Sequence, residues 1–263
     1  MLVQDKVIVV SGIGPGLGVK LAIHAAKEGA RGVVVTGRTQ ARLDDAEKRI
    51  REARPDCPVL KQVTDICDME QCKAIAKATT ERFGRADALI NNAFGHPDFD
   101  HVESSNPDRW HLPFDVNVVG TLKMTQAFLP QMKAQGGGSV VMINTKGAKV
   151  TQIVAEASYC ASKAALWSAT RTLATEVGQY QIRVNGIHMG FMWGEPVQNY
   201  MRTHPENFGG SMDKGYEQVA AMHPMRRIVT DDECARAALF LASDYSSAMT
   251  GTAIDCNGGF FMP

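Results

Sequence analysis

Residues 6–29 read KVIVVSGIGPGLGVKLAIHAAKEG. A short run rich in β-branched side chains meets a glycine-rich turn, with Gly12, Gly16 and Gly18 just after the strand and at the start of the segment of helical period that follows. An anion-binding turn needs that order. Glycines let the backbone approach a phosphate with no Cβ in the way, and the start of the helix aims its free N–H groups at the charge. Pro15 removes one N–H donor, so phosphate contacts fall to its neighbours. The plainer reading of the glycines is a tight turn and nothing more. Their place after the first strand of the chain favours the phosphate.

The same alternation continues outward from this stretch. Strand candidates are KVIVVS, GVVVTG, PVLKQV, ADALIN, SVVMIN, IRVNGI and TAIDC. Helical segments lie between them, at residues 17–29, 40–53, 68–84, 108–135, 157–179 and 232–242. The strands are continuous apolar runs more than alternating ones, as in a sheet covered on both faces. This predicts a single α/β domain over 1–263, a doubly wound parallel sheet of about seven strands with helices on both faces. One region breaks the rhythm. Residues 191–224 are rich in Met, Gly, Asn and His and are expected to form a substrate-binding lid.

Composition narrows the function. Of 263 residues, 44% are apolar, enough for a well-buried core. Lys plus Arg and Asp plus Glu are 28 each, so no net charge points to nucleic acid or to an anionic membrane. No apolar run reaches the ~20 residues that span a bilayer, and the N-terminus lacks a secretory pattern. Cys57, Cys67, Cys72, Cys160, Cys234 and Cys256 show no metal-binding spacing and read as reduced thiols of a cytoplasmic protein.

The second strand ends in VVVTGRTQARL. In a Rossmann-type unit an acidic residue here binds a ribose 2′-hydroxyl, whereas an Arg accommodates a 2′-phosphate. Gly37 stands at the acidic place and Arg38 follows it, which favours NADP(H) over NAD(H) through a bidentate guanidinium–phosphate contact. Arg38 as a solvated loop residue is the alternative.

Further along, SYCASKAAL places Tyr159 and Lys163 one helical turn apart. With TDICD (Asp65), NNAF (Asn91 to Phe94), DVNVVG (Asn117) and IRVNGIHMG, the chain resembles the short-chain dehydrogenase/reductase family over nearly its whole length. The glycine loop resembles that family's TGxxxGxG and the helix its YxxxK. The resemblance implies a nicotinamide-dependent oxidoreductase of ketones and secondary alcohols. It implies cofactor contacts at Gly12, Gly14, Gly16, Leu17, Gly18, Arg38, Asp65, Ile66, Asn92, Ala93, Gly190 and Met192, together with Tyr159 and Lys163.

Tyr159 becomes the general acid/base, with Lys163 expected to draw its pKa down from about 10. The family's serine, a hydroxyl donor at the end of the fifth strand, corresponds to Thr145, fourteen residues before Tyr159. Lys146, thirteen before, is the alternative. Asn117 would order a water near Lys163, and Pro113 should kink or loosen the helix there. Gly194 stands where the family has a Thr that holds the nicotinamide carboxamide. Phe94, His96, Phe99, Trp193 and Tyr200 are candidate walls of a pocket for a bulky hydrophobic or aromatic substrate. The family's habit implies a homo-oligomer, a tetramer or dimer, through the helices of Asn117 and Tyr159 and the C-terminal segment. A catalytically weak dinucleotide-binding regulator is the reading from another class.

Overall fold

The computed structural model describes residues 1–96, 101–150 and 156–262. Seven strands form one parallel sheet: β1 (Val7–Ser11), β2 (Gly32–Gly37), β3 (Val59–Val63), β4 (Ala88–Asn91), β5 (Gly138–Thr145), β6 (Ile182–Met189) and β9 (Ala253–Cys256). Their order is β3-β2-β1-β4-β5-β6-β9, and every pairing is parallel. Each of the seven coincides with one of the apolar runs read from the sequence.

Parallel neighbours need crossovers, which the helices supply. They are α1 (Leu17–Lys27), α2 (Gln40–Ala53), α3 (Met69–Phe83), α4 (His111–Phe114), α5 (Thr121–Ala134), α6 (Ala157–Val177) and α9 (Asp231–Ala242). Successive side chains of β1 serve opposite faces. Ile8 and Val10 join Leu21, Leu43, Ile50 and Leu239 in one buried layer. Val7 and Val9 join Ile75, Met124, Phe128 and Leu166 in the other. Two covered faces explain why the central strands β1, β2 and β4 are continuous, largely apolar runs. No helix among the described residues is long and apolar enough to cross a membrane.

Chain order reverses between β1 and β4, so two crossovers diverge there and leave a crevice at the carboxyl ends of the strands. Register aligns the rim of that crevice: Ser11 pairs with Thr36 and Asn91, Thr145 with Met189, and Met189 with Cys256.

Two regions depart from the sequence reading. Pro113 does not break a helix interior. It lies in the first turn of α4, where its missing N–H costs nothing, and the loosening follows as a π-helical stretch over Asp115–Gly120. Residues 191–224 hold a short strand β7 (Met192–Trp193) and two helices, α7 (Glu195–Thr203) and α8 (Met212–Ala221). β7 pairs with β8 (Val229–Thr230), just before α9. This excursion has its own small core of Met201, Val219, Ala220 and Ile228.

Candidate active site

The crevice is a cleft of about 540 Å³. The glycine loop forms one wall. Gly12 has φ +85°, and a Cβ on it would sit 2.3 Å from the Ala93 backbone. A Cβ on Gly18 would come within 2.4 Å of the Gly12 carbonyl oxygen. The Asn92 side-chain amide donates to that same oxygen at 2.7 Å, tying the loop to the end of β4. With α1 starting at Leu17, this is a backbone cradle that side chains would close, and it fits a dinucleotide pyrophosphate.

Gly37, Arg38, Thr39 and Arg42 line the cleft past the loop, facing Thr64, Asp65 and Ile66. Arg38 is exposed. One Asp65 carboxylate oxygen accepts the Cys67 N–H at 2.9 Å, which shapes the turn after β3. Arg42 was not singled out from the sequence. Its spacing of four from Arg38 was the available clue.

At the other end Asn144, Thr145, Tyr159, Lys163, Met189, Gly190 and Met192 form the wall. The Asn144 amide donates to the Lys163 carbonyl at 3.1 Å, clasping α6 to β5. Lys163 Nζ donates to the Ile143 carbonyl at 3.0 Å and lies 5.9 Å from the Tyr159 ring centroid.

The pKa of Tyr159 lies above its ordinary value, not below it. Burial pushes the phenol above its ordinary value, with the Glu156 carboxylate adding to the shift. Burial also pushes the Lys163 amine down to about 8. Each group is thus biased toward its neutral form, because low-polarity surroundings penalise charge.

Thr145 Oγ1 accepts the Gly147 N–H at 3.3 Å and lines the cleft. Lys146 is not among the lining residues. It is 1% exposed, with Nζ 2.9 Å from the Phe260 ring centroid and, among the described residues, no hydrogen-bond partner. Burial lowers its pKa to about 8.

Asn117 is fully buried, and its amide is spent on protein groups. Oδ1 accepts the Gly95 N–H at 2.8 Å, and Nδ2 donates to Gly95 O and to Ser162 Oγ, both at 2.9 Å. It fastens the segment after β4 to the helix of Tyr159.

The candidate substrate residues divide. Phe94 lines the cleft, 57% exposed, its ring edge-on to Tyr159 at 6.5 Å. His96 stacks on Tyr159 at 4.7 Å, and its Nε2 lies 3.3 Å from Glu156 Oε1. Glu156 escaped the sequence reading, although it sits one turn before Tyr159. Trp193 and Tyr200 are not brought to the cleft. Trp193 packs on Tyr216 at 4.6 Å, and Tyr200 on His204 and Phe208 at 4.6 and 5.7 Å. Apolar surface in the excursion is needed for its own small core. Pro196 and Val197 of α7 reach the cleft instead. Phe99 lies outside the described residues.

Residues 12–261 match a family model described as enoyl-(acyl carrier protein) reductase. Levodione reductase of Leifsonia aquatica is 33% identical over 256 residues, covering 97% of this chain and 94% of that protein. The chain is a short-chain dehydrogenase/reductase. The crystal structure of levodione reductase superposes with a TM-score of 0.89 at 32% identity, covering 98% of each chain. L-sorbose reductase from Gluconobacter frateurii, complexed with NADPH and L-sorbose, gives 0.92 at 29% identity over 100% of this chain and 99% of that one. An NAD+-bound xylitol dehydrogenase gives 0.86 at 28% identity, covering 97% and 99%. This dehydrogenase/reductase is therefore a nicotinamide-dependent oxidoreductase of alcohol and carbonyl groups, with a Rossmann-type sheet.

Proposed function

We propose that the chain is an NADPH-preferring reductase of bulky, largely apolar or aromatic ketones, with Tyr159 as the general acid. The observation that carries this is one cleft with a phosphate cradle and two arginines at one end and Thr145, Tyr159 and Lys163 at the other. NADPH is favoured because β2 ends in Gly37 with no carboxylate, while Arg38 and Arg42 both line that end.

When bound, the dinucleotide supplies the hydride to the carbonyl carbon, or takes it from the alcohol. The chain handles the proton. Burial and the Glu156 carboxylate hold the Tyr159 phenol protonated, the form a proton donor must have. The Tyr159 hydroxyl gives its proton to the carbonyl oxygen as the C–H bond forms. In oxidation it takes the alcohol proton back. Because Thr145 Oγ1 accepts from Gly147, its own O–H is left to donate to the same carbonyl oxygen. Lys163, when charged, lowers the cost of the phenolate that remains. Phe94, Met192 and Val197 supply apolar wall beside Tyr159, and α7 and α8 serve as the lid.

A homo-oligomer, tetramer or dimer, is part of this reading, through the outer faces of the Asn117 and Tyr159 helices and the C-terminal segment. Leu112 and Val119 expose apolar surface beside Asn117. Light scattering on the eluting protein checks it, and a monomer at micromolar concentration removes it.

The deciding experiment follows reduced nicotinamide with a panel of ketones, for wild type and Tyr159→Phe. Wild-type turnover with NADPH, and a variant slower by ~10² or more, is the expected result. An equally active variant overturns the assignment of Tyr159.

A further inference from the structure

Asp231 opens α9, distant in sequence from the glycine loop, and it is a wall of the dinucleotide cleft. It is only 6% exposed. Among the described residues, the donors that reach its carboxylate are the backbone N–H groups of Asp231 and Asp232. Burial raises its pKa, opposed in part by Lys20, which is itself paired with Asp232 at 2.7 Å. A buried carboxylate that no side chain satisfies is costly unless something else supplies a donor.

The β7–β8 pairing sets its position. Trp193 is in register with Thr230, which brings the next residue, Gly194, against Asp231. A Cβ on Gly194 would fall 2.7 Å from Asp231 Oδ2. Glycine there leaves the oxygen uncovered, and Gly194 and Asp231 line the cleft together. Arg38 and Asp65 belong to the β2 and β3 end of the crevice. Asp231 is carried by β8 against β7, which follows directly on the end of β6 at Met189, so it sits on the β6 side of the crevice, whose lining includes Gly190 and Met192. A dinucleotide lying across the reversal point puts its nicotinamide at that end.

We propose that Asp231 positions the nicotinamide ring, its carboxylate accepting a hydrogen bond from the carboxamide N–H2 in the space left by Gly194. This rests on the dinucleotide reading of the cleft. A primary amide offers two N–H donors and a carboxylate only acceptors, so the two are complements. The carboxylate also places negative charge beside a ring that is cationic when oxidised and neutral when reduced. It therefore binds NADP+ in preference to NADPH.

Fluorescence titration tests this without turnover. The ligands are NADPH, NADP+, the 3-acetylpyridine analogue of NADP+, which has a methyl ketone for the amide, and 2′-phospho-ADP-ribose, which lacks the ring. The same series without the 2′-phosphate runs alongside. Wild type should bind NADP+ about tenfold tighter than the acetyl analogue, the worth of one hydrogen bond to a charged group. In Asp231→Leu that ratio should fall to within about twofold, with 2′-phospho-ADP-ribose bound as in wild type. Asp231→Asn keeps an acceptor, so it should keep most of the amide preference while losing the bias toward NADP+ over NADPH.

An Asp231→Leu protein that still discriminates amide from acetyl overturns the role of Asp231 and leaves the cofactor reading standing. A wild type that binds neither dinucleotide nor 2′-phospho-ADP-ribose, in either series, overturns both.

Discussion

Thr145 decides whether the site is complete, and the hydrogen bond that its hydroxyl accepts from Gly147 is informative. With Gly147 N–H on one lone pair, the hydroxyl is oriented and its proton remains for a ligand. Its β-methyl is the one addition to what a serine would bring. Thr145→Ser should therefore retain turnover, whereas Thr145→Ala should lower kcat by ~10² or more, as when one oxyanion donor is removed. Near-wild-type kcat in Thr145→Ala would return the role to Lys146, although that amine is buried against Phe260. At the opposite end, Arg38→Ala should raise KM for NADPH by about tenfold or more and leave NADH almost unchanged, since a charged hydrogen bond is worth about 1.5–3 kcal/mol. Arg42 shares the same edge of the cleft, so Arg38→Ala with Arg42→Ala should abolish the preference. Equal losses with both cofactors would show that neither guanidinium reads a 2′-phosphate.

The π-helical stretch after α4 places Asn117 where it can bind both backbone groups of Gly95 and the Ser162 hydroxyl. Asn117→Ala leaves those buried partners unsatisfied and should destabilise the protein by about 2–4 kcal/mol in urea unfolding. A loss under about 0.5 kcal/mol with low activity would move Asn117 from fastener to direct participant. The sequence announced the helix here, because its apolar period is strong, but not the widened turn. That turn depends on hydrogen bonds to a loop after β4 that no local pattern encodes. The central strands were legible for the opposite reason: a sheet covered on both faces calls for continuous apolar runs, and β1, β2 and β4 are such runs. Gln40–Ala53 was legible to the residue because polar and apolar positions alternate with helical period over its whole length. The β7–β8 pair, two residues long, joins distant segments and leaves no periodic trace. Tyr159 and Lys163 were readable as a one-turn pair, whereas Asp231 was not, since its place follows from that strand pair and from an absent side chain at Gly194. Trp193 and Tyr200 misled because aromatic residues in an excursion can face a ligand or each other with the same sequence.

Across the whole molecule, three buried bases shape the response to pH. Lys146 and Lys163 have pKa values near 8 in the fold against an ordinary 10.5. Below about pH 8 both are charged in the folded and unfolded chains, and folding bears the full cost of the buried charge. Between about 8 and 10.5 the folded chain has released protons that the unfolded chain retains. Stability therefore rises with pH through that window, by up to about 1.4 kcal/mol per pH unit for each group. Tyr159 opposes this at the upper end, because its raised pKa keeps the phenol neutral while an unfolded tyrosine ionises near 10.

His188 governs the acid side. It is fully buried, among the described residues neither ring nitrogen makes a hydrogen bond although Nδ1 lies 3.5 Å from Asp255 Oδ1, and burial, with Lys149 adding, lowers its pKa from 6.5 to about 4. As pH falls from about 6.5 to 4 the unfolded chain takes up a proton that the folded chain refuses, and stability declines. Urea midpoints should therefore climb from about pH 5 to 7 and again from about 8 to 9.5. Lys146→Met exchanges a buried charge for an apolar chain of similar length, so it should raise the midpoint at about pH 7.5 and remove roughly half of the alkaline climb. A wild-type midpoint that stays flat or falls between about pH 8 and 9.5 would mean that both amines find solvent or an anion in the folded protein. The low-polarity account of Tyr159's surroundings would fall with it.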